Sequence, residues 1–296
     1  MRRPQPPVVG ASASAAIRDR IVASPVRVDV LAVFPAAVYL SHPAGIVAVV
    51  SADGVAHPNA IGLAARTCER PFADVTVGAS GRLGGQRLEI PGLRAEVRRW
   101  WRPRPALPTV AADGLRQGCD DLDLLLTIAA PPLPRDLAAP LARLRIAIEG
   151  GDATAAVGHA DGLLGLGPGL TPSGDDLLCG LLSAVALLGP AVGAATDHRV
   201  AAARTVGDAV VDRATSATTS ISAALLAHAV RGEVSDVAAA VLRALAGLQP
   251  LAPAVRGLVA VGATSGRDLT AGLLAGARVV SSDAFTPSPA LSEESR

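Results

Sequence analysis

The residues best suited to chemistry lie in one short segment that precedes an apolar helix. It reads Gly-Leu-Gly-Pro-Gly-Leu-Thr-Pro-Ser-Gly-Asp-Asp at 165–176, with alternating glycines, two hydroxyls and two adjacent carboxylates. Alternating glycines let backbone N–H groups point into one concavity, and the N-terminus of the following helix adds partial positive charge. The segment therefore predicts a binding site for a phosphate or a carboxylate.

Asp175 places a negative charge beside that site. A Mg²⁺ ion between Asp175 and the ligand would compensate for it, as would an arginine held by Asp175 or the amide N–H groups of a ureido-type ligand. The sequence leaves these three arrangements open. It indicates no other metal site, because the five histidines show no ligand spacing and the cysteines at 68, 119 and 179 lie far apart.

The second half of the segment recurs later in the chain. Residues 172–184 align with residues 264–276 at an offset of 92, in the pattern Ser-Gly-x-Asp-Leu-x-x-Gly-Leu-Leu. Each Ser-x-x-Asp resembles a capping box and could be no more than a helix start, but capping does not require the glycines at 165–169. Glycine inside a helix costs roughly 1 kcal/mol relative to alanine. Its presence at Gly180 and Gly272 predicts that the two helices pack together, with their N-termini side by side.

A second hydroxyl-rich segment precedes another apolar helix. Residues 215–222 contain six Ser or Thr residues, and an N-cap needs one or two of them. The others are candidates for lining a site. The chain has no Gly-x-Ser-x-Gly elbow, so nothing favours a serine hydrolase.

The composition excludes several classes of function. All 27 basic residues are arginine, so this chain cannot form a lysine Schiff base with pyridoxal phosphate, carry biotin on lysine or complete a Walker A loop. A net charge of +1 gives no basic excess for nucleic acid. Mean hydropathy is +0.40, yet no uninterrupted run of about 18 apolar residues predicts a membrane span. No apolar segment follows the N-terminal arginines, and we expect a cytoplasmic protein.

The pattern along the chain predicts an α+β protein with a small β-rich domain followed by a larger helical domain. We expect a disordered tail at 1–24, a β-rich domain at 25–110 that forms a barrel or a half-open sheet, a mainly α-helical domain at 111–280 and a disordered tail at 281–296. The segment 122–129 fits either a strand or a helix. Strands are predicted at 26–31, 37–40, 46–50, 75–77 and 88–90, and helices near 135–148, 152–164, 175–188, 198–213, 219–231, 234–247, 250–261 and 267–280.

The glycine-rich segment at 165–176 resembles the signature of the AllH family, named for a subunit of oxamate carbamoyltransferase. The resemblance extends to residues 218–222 with Arg231-Gly232, and to residues 262–268 with Gly272. It implies a subunit of a multi-subunit enzyme of allantoin (purine) catabolism. That enzyme exchanges oxalurate and phosphate with oxamate and carbamoyl phosphate.

The resemblance and the residue chemistry together assign the candidate roles. Ser173, Asp175 and Asp176 are the candidate catalytic residues, and Mg²⁺ at Asp175 is the one cofactor left open. The expected partners are a small anionic substrate and other subunits, without nucleic acid or membrane. The alternative is a non-catalytic metabolite-binding or scaffold subunit, for example in a carboxylase-type complex. The candidate substrate- or anion-binding residues are Gly165, Gly167, Gly169, Thr171, Gly174, Thr218, Thr219, Ser265, Gly266 and Asp268.

Overall fold

The computed structural model describes residues 6–282, which form a β-barrel followed by a helical domain. The predicted α+β class is confirmed. The strands are β1 Val8–Ser14, β2 Val26–Val33, β3 Ala37–His42, β4 Gly45–Val50, β5 Ala60–Leu63, β6 Ser80–Gly84, β7 Arg87–Ile90 and β8 Leu93–Trp101. The helices are α1 Arg18–Val22, α2 Ala112–Ala129, α3 Arg135–Glu149, α4 Ala153–Asp161, α5 Ser173–Val192, α6 Asp197–Ala217, α7 Ser220–Ala229, α8 Asp236–Leu245, α9 Leu251–Val259 and α10 Ser265–Ser281.

The eight strands close completely, in the order β1-β5-β4-β3-β2-β6-β7-β8. The pairs β1–β8 and β4–β5 are parallel, whereas the other neighbours are antiparallel. Alternate residues of a strand face the same side, so the apolar side chains of Val28, Leu40 and Val49 are fully buried in the interior. Of the two arrangements left open by the sequence, the protein adopts the closed barrel.

The expected N-terminal tail at 1–24 is wrong for much of its length. Residues 8–14 form β1, which pairs with both β5 and β8 and closes the barrel. Ile17 and Ile21, in the short turn and helix that follow, are buried in the barrel core. The strand escaped prediction because Gly, Ala and Ser provide no β-type hydrophobic pattern. Residues 1–5 and nearly all of the expected C-terminal tail, 283–296, lie outside the described residues.

The strand predicted at 75–77 is also wrong. Val75 lies in a turn closed by its N–H bond to the Phe72 carbonyl, and Val77 is 65% exposed. Besides β1, three of the strands that do form, β5, β6 and β8, were not predicted. In contrast, every helix predicted from residue 135 onward is present within a few residues of its expected bounds, and the ambiguous segment 122–129 belongs to α2.

Helices α5 and α10 pack side by side and in parallel along their small residues. A Cβ atom added at Gly272 would lie 2.2 Å from the Leu177 carbonyl oxygen, and one added at Gly180 would lie 2.4 Å from the Leu269 carbonyl oxygen. Only glycine permits such an approach of two backbones, so the predicted packing of the repeat helices is confirmed. Within residues 6–282, α5 is the one helix long and apolar enough to cross a membrane. Its most apolar stretch is 78% buried inside the protein.

Candidate functional site

A cavity of about 500 Å³ lies between the barrel and the helical domain. The barrel contributes Phe34, Tyr39, His57 and Pro58 to its wall. The helical domain contributes the glycine-rich loop before α5, the start of α10 and the segment between α7 and α8. The volume falls within the range usual for small-molecule sites.

The N-termini of α5 and α10 meet at this cavity. The hydroxyl oxygens of Thr171 and Ser265 are 2.9 Å apart. The residues at the two N-cap positions, Pro172 and Thr264, make no side-chain capping bond. The capping-box interpretation therefore does not describe either start. Two helix ends, each carrying partial positive charge, instead converge on one wall of the cavity.

Within the glycine-rich loop, the N–H groups available to a ligand are those in its middle. The N–H of Gly165 donates to Asp175 Oδ1 and the N–H of Gly174 donates to the Leu166 carbonyl, so neither can hold an anion. The N–H groups of residues 169–171, which line the cavity, donate to no acceptor within the described part of the chain. An unpaired N–H needs a ligand or water as its acceptor, so residues 169–171 can bind an anion. The N–H groups of residues 262–265, before and at the start of α10, line the same cavity, also have no acceptor among the described residues and can contribute to binding.

Asp175 fixes the loop to the rest of the domain. Its Oδ1 accepts from the Gly165 N–H at 2.7 Å and its Oδ2 accepts from the Thr218 hydroxyl, and the residue is 1% exposed. Gly165 has φ +74°, and a Cβ atom there would lie 2.2 Å from the Ala217 carbonyl oxygen. The loop therefore packs against the end of α6. Across residues 6–282, no group of three or more His, Cys, Asp or Glu side chains is arranged to hold a metal ion.

Asp176 is the carboxyl group of the glycine-rich segment that lines the cavity. It is 7% exposed, and its Oδ2 has no hydrogen-bond partner among residues 6–282. Burial raises its pKa to about 8, with a further contribution from the charges of Asp268 and Asp175, although hydrogen bonds from Ser265 and Thr171 oppose the shift. Asp176 is therefore mainly protonated at neutral pH and can donate a hydrogen bond or a proton.

Asp268, its counterpart in the second copy, takes a different role. It is fully buried and forms an ion pair with Arg267, with 2.6 Å between Arg267 Nη2 and Asp268 Oδ1. Asp268 does not line the cavity, but its charge acts on Asp176. Asp268 in the second copy therefore helps to raise the pKa of Asp176 in the first copy.

The remaining predicted residues divide between the cavity wall and the structure behind it. Gly169, Thr171, Asp176, Ser265 and Gly266 line the cavity. Thr219 caps α7 through the Ser222 N–H and donates to the Leu170 carbonyl at 2.6 Å, which holds the loop from below. The positions that pack behind the wall are Gly165, Gly167, Ser173, Gly174, Asp175, Thr218 and Asp268.

The polar residues of the cavity wall that were not predicted include Tyr39, His57 and Glu233. Burial raises the pKa of Tyr39, with a contribution from the charge of Asp176, and burial lowers the pKa of His57. Burial acts to raise the pKa of Glu233, but the hydrogen bond from His228 and the charge of Arg231 outweigh it, so the pKa is lowered overall. The signal for Glu233 was its position directly after the Arg231-Gly232 pair.

The glycine-rich loop and the second helix start thus line one cavity, and the hydroxyl run before α7 holds the loop in place. The resemblance to AllH rests on these three segments. Residues 163–277 match the family model described as oxamate carbamoyltransferase subunit AllH. The resemblance to AllH is confirmed for this segment, which covers less than half of the chain. The matched segment contains all the residues that the helical domain contributes to the cavity wall. The residues that the barrel contributes lie outside the matched segment. No curated protein and no solved structure matches the chain.

Proposed function

We propose that this chain is an AllH-like subunit of a cytoplasmic carbamoyltransferase, and that its cavity binds the substrates. The reaction exchanges oxalurate and phosphate with oxamate and carbamoyl phosphate. The AllH match over residues 163–277 supports the enzyme class. The single observation that supports this location of the substrate site is the cavity. Residues 169–171, with their unpaired N–H groups, and Asp176, with its protonated carboxyl group, line one of its walls.

The anionic end of each substrate would bind at residues 169–171. Oxalurate and oxamate carry a carboxylate, while phosphate and carbamoyl phosphate carry a phosphoryl group. Backbone N–H groups at a helix N-terminus bind both kinds of anion. The hydroxyls of Thr171 and Ser265 lie beside them, and because one donates to the other, at most one of the two O–H groups can donate to a ligand.

Asp176 would move the proton that the transfer requires. An oxygen of phosphate attacks the carbamoyl carbon of oxalurate, a tetrahedral oxyanion forms, and the bond from this carbon to the oxamate nitrogen breaks. The departing nitrogen takes a proton and the attacking phosphate loses one, so that one carboxyl group can donate the first and accept the second. The nearby N–H and hydroxyl donors would stabilise the oxyanion.

One observation favours the alternative, a metabolite-binding subunit that is not catalytic by itself. Among the described residues, no arginine lies in the cavity wall, although the chain has 27. Sites that bind a phosphate group commonly use arginine or lysine to neutralise its charge. In this alternative, another subunit supplies the cation and completes the site.

The test is thermal unfolding of the purified chain with phosphate, carbamoyl phosphate, oxamate or oxalurate, each with and without Mg²⁺. A ligand present at 100 times its dissociation constant stabilises the folded protein by about 2.7 kcal/mol. We expect oxamate and phosphate to raise the melting temperature of the wild type by several degrees, and Thr171→Val to reduce this shift. A larger shift with Mg²⁺ would indicate that the ligand binds together with Mg²⁺, the ion for which the sequence made Asp175 a candidate.

The matched control is Thr205→Val, on the exposed side of α6, where the hydroxyl bonds only to its own helix at the Ala201 carbonyl. It should leave every ligand shift unchanged. If none of the four ligands stabilises the wild type, the substrate site is not on this chain. Turnover in the assembled complex that persists in Asp176→Asn would favour the non-catalytic alternative.

A further inference from the structure

We propose that Glu233 binds the carbamoyl NH₂ group of the ligand and thereby selects primary amides over molecules of the same shape without one. The inference rests on the proposed function, because it concerns the same cavity. It adds a specificity-determining residue in the cavity wall between α7 and α8, in a segment to which neither the motifs nor the resemblance assigned a binding role.

Glu233 is anchored through one carboxylate oxygen and leaves the other available. Its Oε2 lies 2.6 Å from Nδ1 of His228 and 3.1 Å from Nε of Arg231. His228 is 2% exposed, so the anchoring ring is fixed within the domain. The Glu233 side chain retains 19% exposure and lines the cavity, and its Oε1 makes no hydrogen bond to the described residues. Oε1 is therefore the atom that a ligand can reach.

The backbone around Glu233 is held rigidly against the barrel. The N–H of Val234 donates to the Pro103 carbonyl at 3.0 Å. Asp236 exchanges two hydrogen bonds with the backbone of Ala56, at 3.1 Å to its carboxylate and 3.3 Å from its N–H. These bonds join the start of α8 to the barrel and so fix the position of the Glu233 carboxylate. Because the acceptor is already held in its binding position, little conformational entropy is lost when a ligand binds.

Glu233 and Asp176 have complementary hydrogen-bonding capacities. An ionised carboxylate is only an acceptor, whereas a protonated carboxyl group can donate. A primary amide offers the reverse pair, an NH₂ donor and a carbonyl acceptor. Glu233 can accept from the NH₂ group while Asp176 donates to the carbonyl oxygen. A ligand with CH₃ in place of NH₂ would leave the Glu233 carboxylate desolvated without a partner, which is costly.

Oxamate and pyruvate provide a matched pair for the test, because pyruvate has CH₃ where oxamate has NH₂. The measurement is isothermal titration of each into the full chain, as wild type and as Glu233→Gln. In that variant the amide oxygen takes the hydrogen bond from His228, so its NH₂ group faces the ligand and repels another donor. Glu89→Gln, on an exposed barrel strand, is the control.

We expect the wild type and Glu89→Gln to bind oxamate at least about 10-fold more tightly than pyruvate, and Glu233→Gln to lose this preference. Equal binding of both ligands by the wild type would overturn the role of Glu233 while leaving the proposed function in place. So would a preference that Glu233→Gln retains in full. Binding of neither ligand would overturn the proposed function, and the inference with it. The wild-type comparison does not depend on the folding of any variant.

Discussion

Replacing Asp176 with asparagine should stabilise the protein at alkaline pH while removing its chemistry. Asparagine has nearly the same shape and is never charged. The buried carboxyl group has a pKa of about 8 in the folded protein, against an ordinary value of 3.8. Folding therefore favours the protonated form, and the folded protein retains a proton that the unfolded chain releases.

The sign and size of the effect follow from this difference. Because the folded state binds more protons between pH 4 and pH 8, the free energy of unfolding falls as the pH rises through this window and levels off above it. Each pKa unit corresponds to about 1.4 kcal/mol, so a shift of this size corresponds to roughly 6 kcal/mol. The difference between Asp176→Asn and the wild type should thus be near zero at pH 4 and several kcal/mol at pH 9.

Urea unfolding of both proteins at several pH values between 4 and 9 measures this difference. Asp120→Asn, an exposed carboxylate on α2, is the control and should show little change. A stability difference for Asp176→Asn that stays constant over the whole range would refute the reasoning, because it would mean that Asp176 titrates alike in the folded and unfolded states. The variant should also lose turnover in the assembled complex, since an amide cannot transfer the proton.

Three further predictions concern packing, the loop and the thiols. Gly272→Ala should lower the melting temperature markedly, because its Cβ would lie 2.2 Å from a carbonyl oxygen of α5, whereas Gly257→Ala in α9, with nothing within 4 Å, should be neutral or slightly stabilising; thermal unfolding compares them. Thr218→Val removes a donor to Asp175 and should cost about 1–3 kcal/mol and weaken phosphate binding, measured by urea unfolding and titration, and unchanged values would contradict the anchoring role. Cys68 is exposed and the other two cysteines are buried, so a thiol reagent should label one cysteine per folded chain by mass spectrometry; rapid labelling of two or three would contradict this burial.

The helical half of the fold could be predicted because its signals are local. Apolar residues at helical spacing give the positions of α3 to α10, and the small residues at Gly180 and Gly272 predict which two helices touch. The barrel was predicted less well for the opposite reason. Its closure depends on β1 and β6, rich in Gly and Ser, whose pairing with distant strands is visible only in three dimensions.

The candidate site divides in the same way. The repeat allowed Thr171, Asp176 and Ser265 to be placed together, because both copies begin a helix and the helices pack in parallel. Tyr39 could not be placed with them, because it lies on a barrel strand that meets the loop only when the barrel docks on the helices. Glu233 lies in the helical domain between α7 and α8, and it was missed because no motif marks that position as part of the site. The role of Asp175 also needed the structure, since no sequence pattern shows that both of its oxygens are bonded within the protein.

A crystal structure of the chain soaked with oxamate would test the central claim most directly. The account predicts density for oxamate in the cavity between the barrel and the helical domain, with its carboxylate at the N–H groups of residues 169–171 and its amide between Asp176 and Glu233. A cavity without oxamate at saturating concentration, or oxamate bound only elsewhere on the chain, would contradict the claim that this cavity is the substrate site.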